Sequence, residues 1–294
     1  MIYTYAVTQQ GDYHVKHNTV CQDAHCVKIL GDHFAVAAVA DGLGSEMHSD
    51  IAAKIAAETS VDYCAKNICA NDGDVEILSV IKAAFRIALS KIDETARENS
   101  HSMDQYDTTL ALAVYLNGKV FFGNSGDSGI VVLNQDGTYE PITTQQRDEN
   151  GCVYPLFFGE EYWDFGIKEA VASVFLATDG MYETLFPYLL KGEDVPIYVA
   201  LARYLMSEEC LNFTAAADGE VQQRMDAFIA GIPGDQVSDD KTVLVMLDPS
   251  IKTQLQPESY YQSPDWVALK KKRDEEYRRM AYPHLFSEDG TEKN

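Results

Sequence analysis

The chain has 294 residues, 46% of them hydrophobic, which is enough for a sizeable core in one large domain or two small ones. Its 23 basic side chains against 46 acidic ones leave a net charge of −23, which excludes a general partner for nucleic acid or for an anionic membrane. Phosphate chemistry on so acidic a chain requires cations that offset the charge locally.

No apolar run approaches the length of a membrane span, and the opening residues lack a basic stretch followed by an apolar one. The expectation is a cytoplasmic protein with no membrane partner, its six cysteines reduced thiols without a CxxC pair. His14, His17, Cys21, His25 and Cys26 lie close in sequence, but their spacing fits no zinc finger, and they read as ordinary strand and loop residues.

Residues 2–8 are β-branched and aromatic and predict a first strand, broken by Gly11 and Asp12. A polar loop leads to Gln22 and Asp23, and residues 24–30 alternate as a second strand. Gly31 and Asp32 then turn the chain into residues 34–40, an apolar run without polar interruption. Such a run predicts a strand buried on both faces. It ends abruptly at Asp41, so the carboxylate is delivered to a sheet end, and the two hairpin strands bring Asp23 and Asp41 near each other. Gly42 and Gly44 allow a tight turn that brings a carbonyl close to whatever Asp41 holds. Carboxylate and carbonyl are hard oxygen donors, suited to Mg²⁺ or Mn²⁺. For an isolated Asp-Gly, helix capping is the competing reading.

Residues 46–65 repeat small apolar side chains at helical spacing, and residues 74–99 carry Ile77, Ile81, Phe85, Ala88 and Ile92 on one face. Two long helices covering one sheet face follow from this. Asn117-Gly118 between apolar runs marks a hairpin of residues 108–116 and 119–123. Gly123 to Gly129 is glycine-rich and polar and makes Asp127 another candidate. Residues 141–167 have no clear period and predict a surface flap over the site. A strand at 170–177 again ends in Thr178-Asp179-Gly180. After helical segments near 187–190, 195–206 and 220–230, Asp239 opens a last strand at 242–247. Aspartates distant in sequence but all at strand ends are the mark of a site assembled from a sheet. Beyond residue 248 prolines punctuate the chain, and a charged helix over 265–280 predicts an appended element docked on the acidic body. A partner-binding arm is the sharper alternative.

Four ordered signatures, Gln22-Asp23-Ala24, Val39 to Ser45, Gly126-Asp127-Ser128, and Ala177 to Gly180 with Asp239 to Thr242, together resemble the metal-dependent serine/threonine protein phosphatases of type 2C (PPM), in their bacterial branch. The resemblance runs to about residue 247 and implies an α+β fold, a four-layer αββα sandwich with two central, mainly antiparallel sheets flanked by helices. Residues 1–248 would be the catalytic domain and 249–294 a C-terminal extension. It implies two Mn²⁺ or Mg²⁺ ions, with Asp41 bridging both, the Gly42 carbonyl on one, Asp179 and Asp239 on the other, Asp127 at a weaker third, and Asp23 positioning the attacking water. Asp23, Asp41, Asp179 and Asp239 are the implied catalytic set. The implied reaction is direct hydrolysis of phosphoserine or phosphothreonine by a water between two metals. The partner it implies is a phosphoprotein substrate, a Ser/Thr kinase or its targets, and the chain itself is expected to be a monomer.

Three positions depart from the family's pattern. Gln22 stands where the family often has Glu and is a weaker ligand for a hard cation. Asn18 stands where many relatives place an arginine for substrate phosphate, with Lys16 and His17 nearby. Leu43 replaces the histidine of the DGHG version. The alternative these departures keep open is a catalytically weak, phosphatase-like regulatory or binding module. An integrin-type adhesion site fails because Leu43 occupies the third position of Asp41 to Ser45, and a haloacid-dehalogenase-type site fails because Met181 stands two places after Asp179, where a second Asp is needed.

Overall fold

A computed structural model describes residues 1–285. Its frame is a pair of five-stranded antiparallel sheets packed face to face. One sheet holds β1 (Tyr3–Gln9), β6 (Gly129–Asn134), β7 (Tyr139–Pro141), β9 (Val171–Ala177) and β10 (Lys241–Leu247), in the order β1-β10-β9-β6-β7. The other holds β2 (Asp23–Gly31), β3 (Phe34–Asp41), β4 (Leu110–Leu116), β5 (Lys119–Ser125) and β8 (Asp164–Lys168), in the order β2-β3-β4-β5-β8.

The uninterrupted apolar run of β3 follows from its place between two cores. Side chains alternate across a strand, so Ala35, Ala37 and Val39 enter the layer between the sheets, where they join Ala111, Ala113 and Leu176. Phe34, Val36, Ala38 and Ala40 point the other way, under α2 (Ser49–Asn67) and α3 (Asp74–Glu98). No face of this strand meets water, so neither can carry a polar residue without cost. β10 repeats the logic, with Leu244 and Met246 between the sheets and Val243, Val245 and Leu247 outward.

The small buried residues Ala52, Ala53, Ala56, Ala57 and Ser60 let α2 lie close on its sheet. The stripe Ile77, Ile81, Ala84, Phe85, Ala88 and Ile92 seals α3 beside it. The opposite face is covered by α4 (Asp179–Leu185), α5 (Val199–Met206), α6 (Glu208–Leu211) and α7 (Glu220–Ala230), through Leu185, Leu205, Leu211 and Met225 among others. The molecule is therefore the expected αββα sandwich. All six cysteines are free, and no helix among the described residues is long and apolar enough to cross a membrane.

Two expected loops carry regular structure. The segment after β1 forms α1 (Asp12–His17), too short to show a period and pinned instead by the Tyr13 amide donating to the Ser238 carbonyl at 2.8 Å. The flap of residues 141–167 contributes most of β8, which pairs with β5. That strand is partly exposed and interrupted by Gly166, whose missing side chain leaves room for the Phe122 ring, so its alternation is weak.

In the tail, α8 (Trp266–Ala281) is docked, with Lys272 Nζ 2.6 Å from Glu193 and Trp266 edge-on to Tyr198. None of its residues is buried, and Val267, Tyr277 and Met280 are exposed among its charged side chains.

Candidate active site

Side chains from four separate stretches reach one end of the sandwich. In the β2–β3 hairpin Asp23 is the register partner of Asp41, as the turn at Gly31 predicts. Asp41 ends its strand with its backbone held on both sides. Its amide donates to Thr109 Oγ1 at 2.9 Å, and its carbonyl accepts from the Thr109 amide at 2.8 Å and Thr108 Oγ1 at 2.9 Å. The next residue must be glycine on steric grounds, since a Cβ at Gly42 would lie 2.5 Å from the Ser49 carbonyl carbon. The start of α2 is thereby pressed against the Asp41 turn.

β5 ends at Ser125, and Gly126, at φ +94°, turns the buried Asp127 back toward Asp41; a Cβ on that glycine would meet Thr109 Cγ2 at 2.6 Å. Ser128 Oγ lies 2.8 Å from Thr109 Oγ1, tying the two turns together. From the other sheet β9 delivers Thr178 and Asp179. The Thr178 hydroxyl donates to Asp23 Oδ2 at 2.8 Å, a bond that stitches the ends of the two sheets across the sandwich.

The carboxylate oxygens of Asp41, Asp127 and Asp179 can all lie within 4.8 Å of one another, in a cleft of about 760 Å³ that Asp239 and Gln22 also line. Asp239 stands nearer His14 and Asp240. Asp23 lies behind, bonded to Thr178, and Gln22 turns its amide to Ser49, with Nε2 donating to Oγ at 2.5 Å. Gly42 lines the cleft. The candidates thus converge on one place, with Asp41, Asp127 and Asp179 in one group and Asp23 and Gln22 outside it.

Crowding of carboxylates away from water shows in their acidity. Burial first, then the charges of Asp23, Asp179, Asp127 and Asp239, push the Asp41 carboxyl well above the usual range. Burial and then Asp240 do the same to Asp23. Asp179 is pushed up to about 7 by burial, Asp127, Asp239 and Glu183, against the opposing pull of Arg147. Asp127 is raised by burial, with Arg147 holding it back.

Two elements of the site were not legible locally. Asp240 is buried and serves as a clamp, accepting from the amides of Gly11 and Gln22 at 2.7 Å each, with His14 Nδ1 2.8 Å from its Oδ2. It sets α1 beside the cleft. Arg147, from the flap, donates through Nε to Asp127 Oδ2 at 2.7 Å and through Nη2 to Asp179 Oδ2 at 3.1 Å and Glu183 Oε1 at 2.9 Å. Its one sequence signal is isolation, because it is the only basic residue between Lys119 and Lys168.

The sequence matches the family model for protein phosphatase 2C over residues 10–209. No curated protein matches the chain. Among solved structures, the serine/threonine phosphatase Stp1 from Staphylococcus aureus is 14% identical with a TM-score of 0.59, covering 84% of this chain and 95% of that one. The serine/threonine phosphatase PstP/Ppp of Mycobacterium tuberculosis is 18% identical with a TM-score of 0.55, over 84% and 98% of the two chains. The catalytic domain of the serine/threonine protein phosphatase PstP in complex with two manganese ions is 20% identical, TM-score 0.53, over 84% and 97%. At these identities the likeness to solved structures is one of fold.

Proposed function

The chain belongs to the protein phosphatase 2C family of serine/threonine phosphatases, and on that premise we propose that it hydrolyses phosphoserine and phosphothreonine esters with two divalent cations, Mn²⁺ or Mg²⁺, at the carboxylate cluster. The observation that carries this reading is the convergence of Asp41, Asp127 and Asp179 at the strand ends. Their donors are all hard oxygens with no thiolate among them, and burial, with neighbouring acidic charges adding to it, leaves each carboxyl reluctant to ionise, so the donor set fits small hard cations.

In this reading Asp41 would be shared between the two ions, the Gly42 carbonyl would join one of them, Asp179 and Asp239 would hold the other, and Asp127 would serve a weaker third. Bound cations supply an acidified water and neutralise the charge that builds on the phosphoryl oxygens. The chain's own residues do the positioning. Thr178 donates to Asp23 Oδ2 and so fixes the carboxylate that would orient the attacking water. Thr108 and Thr109 hold the Asp41 backbone so that its carboxylate cannot retreat into the sheet. Gln22 supports the turn through its Nε2, which donates to Ser49, and its Oε1 takes no part in that bond. In the same reading residues 1–248 form the catalytic unit and 249–294 an extension, and the enzyme acts as a cytoplasmic monomer on a phosphoprotein that is a Ser/Thr kinase or one of its targets.

The test is the initial rate of phosphothreonine-peptide hydrolysis in Mn²⁺, in Mg²⁺ and in EDTA, beside Asp239→Asn. The expected outcome is turnover that needs metal and is lost in the variant. Turnover no greater than the variant's, from a folded protein, would overturn the proposal.

A further inference from the structure

We propose that Arg147 is the residue that grips the substrate's phosphoryl group, parked on the cluster carboxylates until cations take them; this rests on the dinuclear reading above. A phosphomonoester arrives as an anion, yet the cleft is lined by carboxylates and contains no lysine or arginine among its lining residues, with His14 and His17 its basic side chains. Cations at the cluster offset the acids, but phosphoryl oxygens pointing away from them still need donors. Arginine matches that need, because its planar fork presents parallel N–H groups at the spacing of two phosphate oxygens.

Arg147 is the arginine within reach. Its Nε and Nη2 engage Asp127 and Asp179, two of the three carboxylates of the cluster, and Glu183 beside them. A divalent cation on Asp179, and the weaker third on Asp127, would draw on the same oxygens and repel a guanidinium a few ångströms away. Cation binding therefore strips Arg147 of two of its three partners. The backbone around it has independent anchors. The Gln146 amide donates to the Gly126 carbonyl and the Tyr154 amide to the Gln146 carbonyl, both at 3.0 Å. Gln146 Oε1 also accepts from the Gly126 amide at 2.9 Å. Arg147 is bridged to Val153, which lines the cleft. Release thus swings a side chain rooted at the rim and leaves its donors beside the cations.

The experiment is calorimetric titration of wild type, Arg147→Lys and Arg147→Ala, first with MnCl₂ and then, Mn²⁺-loaded, with inorganic phosphate. It is paired with KM and kcat on the phosphothreonine peptide. Arg147→Ala should bind Mn²⁺ at least as tightly as wild type, because a competitor is gone. It should bind phosphate about tenfold more weakly or worse, the loss expected of charge-assisted hydrogen bonds. KM should rise by a similar factor with a smaller change in kcat, and Arg147→Lys should fall between. Unchanged phosphate affinity and KM in Arg147→Ala overturns the inference. So does weakened Mn²⁺ binding, which would make Arg147 an orienter of ligands. A wild type that binds no Mn²⁺ fails at the first titration and removes the dinuclear reading together with this one.

Discussion

Replacing Asp179 by Asn should stabilise the cation-free protein, against the usual expectation for a residue at the heart of a site. In the folded chain burial and the neighbouring Asp127, Asp239 and Glu183 lift the Asp179 carboxyl to about 7, from an ordinary 3.8. A carboxyl whose folded pKa is raised binds protons more tightly folded than unfolded. Its stabilising share is complete below the unfolded value and is lost as pH climbs through about 7. At pH 8 the folded state must carry a charge that it disfavours by an amount on the order of 4 kcal/mol. Asn keeps the shape and sheds the charge, but it also deprives Arg147 of an ionic partner, which leaves an expected gain of about 1–3 kcal/mol. For a chain of this size that corresponds to a rise of roughly 2–6 °C in Tm. The assay is thermal unfolding in EDTA at pH 5, 6.5 and 8, then with Mn²⁺ at pH 8. The gain should be greatest at pH 8 and shrink toward pH 5, where wild-type Asp179 is already protonated. Mn²⁺ should stabilise wild type more than the variant. A variant no more stable than wild type at pH 8, or equally favoured at pH 5, refutes the charge-crowding argument.

Asp240→Ala should cost about 2–4 kcal/mol in urea unfolding, because it strands the buried amides of Gly11 and Gln22 and frees His14. Gly42→Ala forces a methyl against the Ser49 backbone, so α2 or the Asp41 turn must shift. Peptide hydrolysis should fall by about tenfold or more while stability drops by only about 1–3 kcal/mol. Wild-type activity per folded molecule in that variant would show that the turn has slack.

What could be read in the sequence was whatever short-range pattern encodes. The β3 run announces a doubly buried strand because no polar residue can be placed in it, and its break at Asp41 announces a sheet end. The turn at Gly31 fixes register closely enough that Asp23 and Asp41 fall opposite each other. The Asp127 turn and the strand-terminal Asp179 follow in the same way, whereas the αββα layering rests on the family resemblance. Asp240 and Arg147 are different in kind. Asp240 acts on Gly11 and Gln22 at the far end of the chain, and Arg147 acts across a segment without period, so nothing within a few residues of either reports its partners. α1 and β8 escaped for a related reason, since each is shorter than the window over which its period shows and is held by distant contacts.

The position of β3 bears on how the protein breathes. It is hydrogen-bonded to β2 and β4 and sealed between two cores, so its amides can meet water only when the whole domain opens. Most backbone bonds of the stretch from Gln145 to Tyr162 are local, and its ties to the body include the Gln146 and Leu156 amides, the Arg147 ion pairs and the exposed Arg86–Glu160 pair. Deuterium uptake should therefore split the cleft into a floor that exchanges at the global rate and a rim that exchanges far sooner. A lineage could then revise which phosphoproteins the rim admits through substitutions there without risking the strand that aims Asp41.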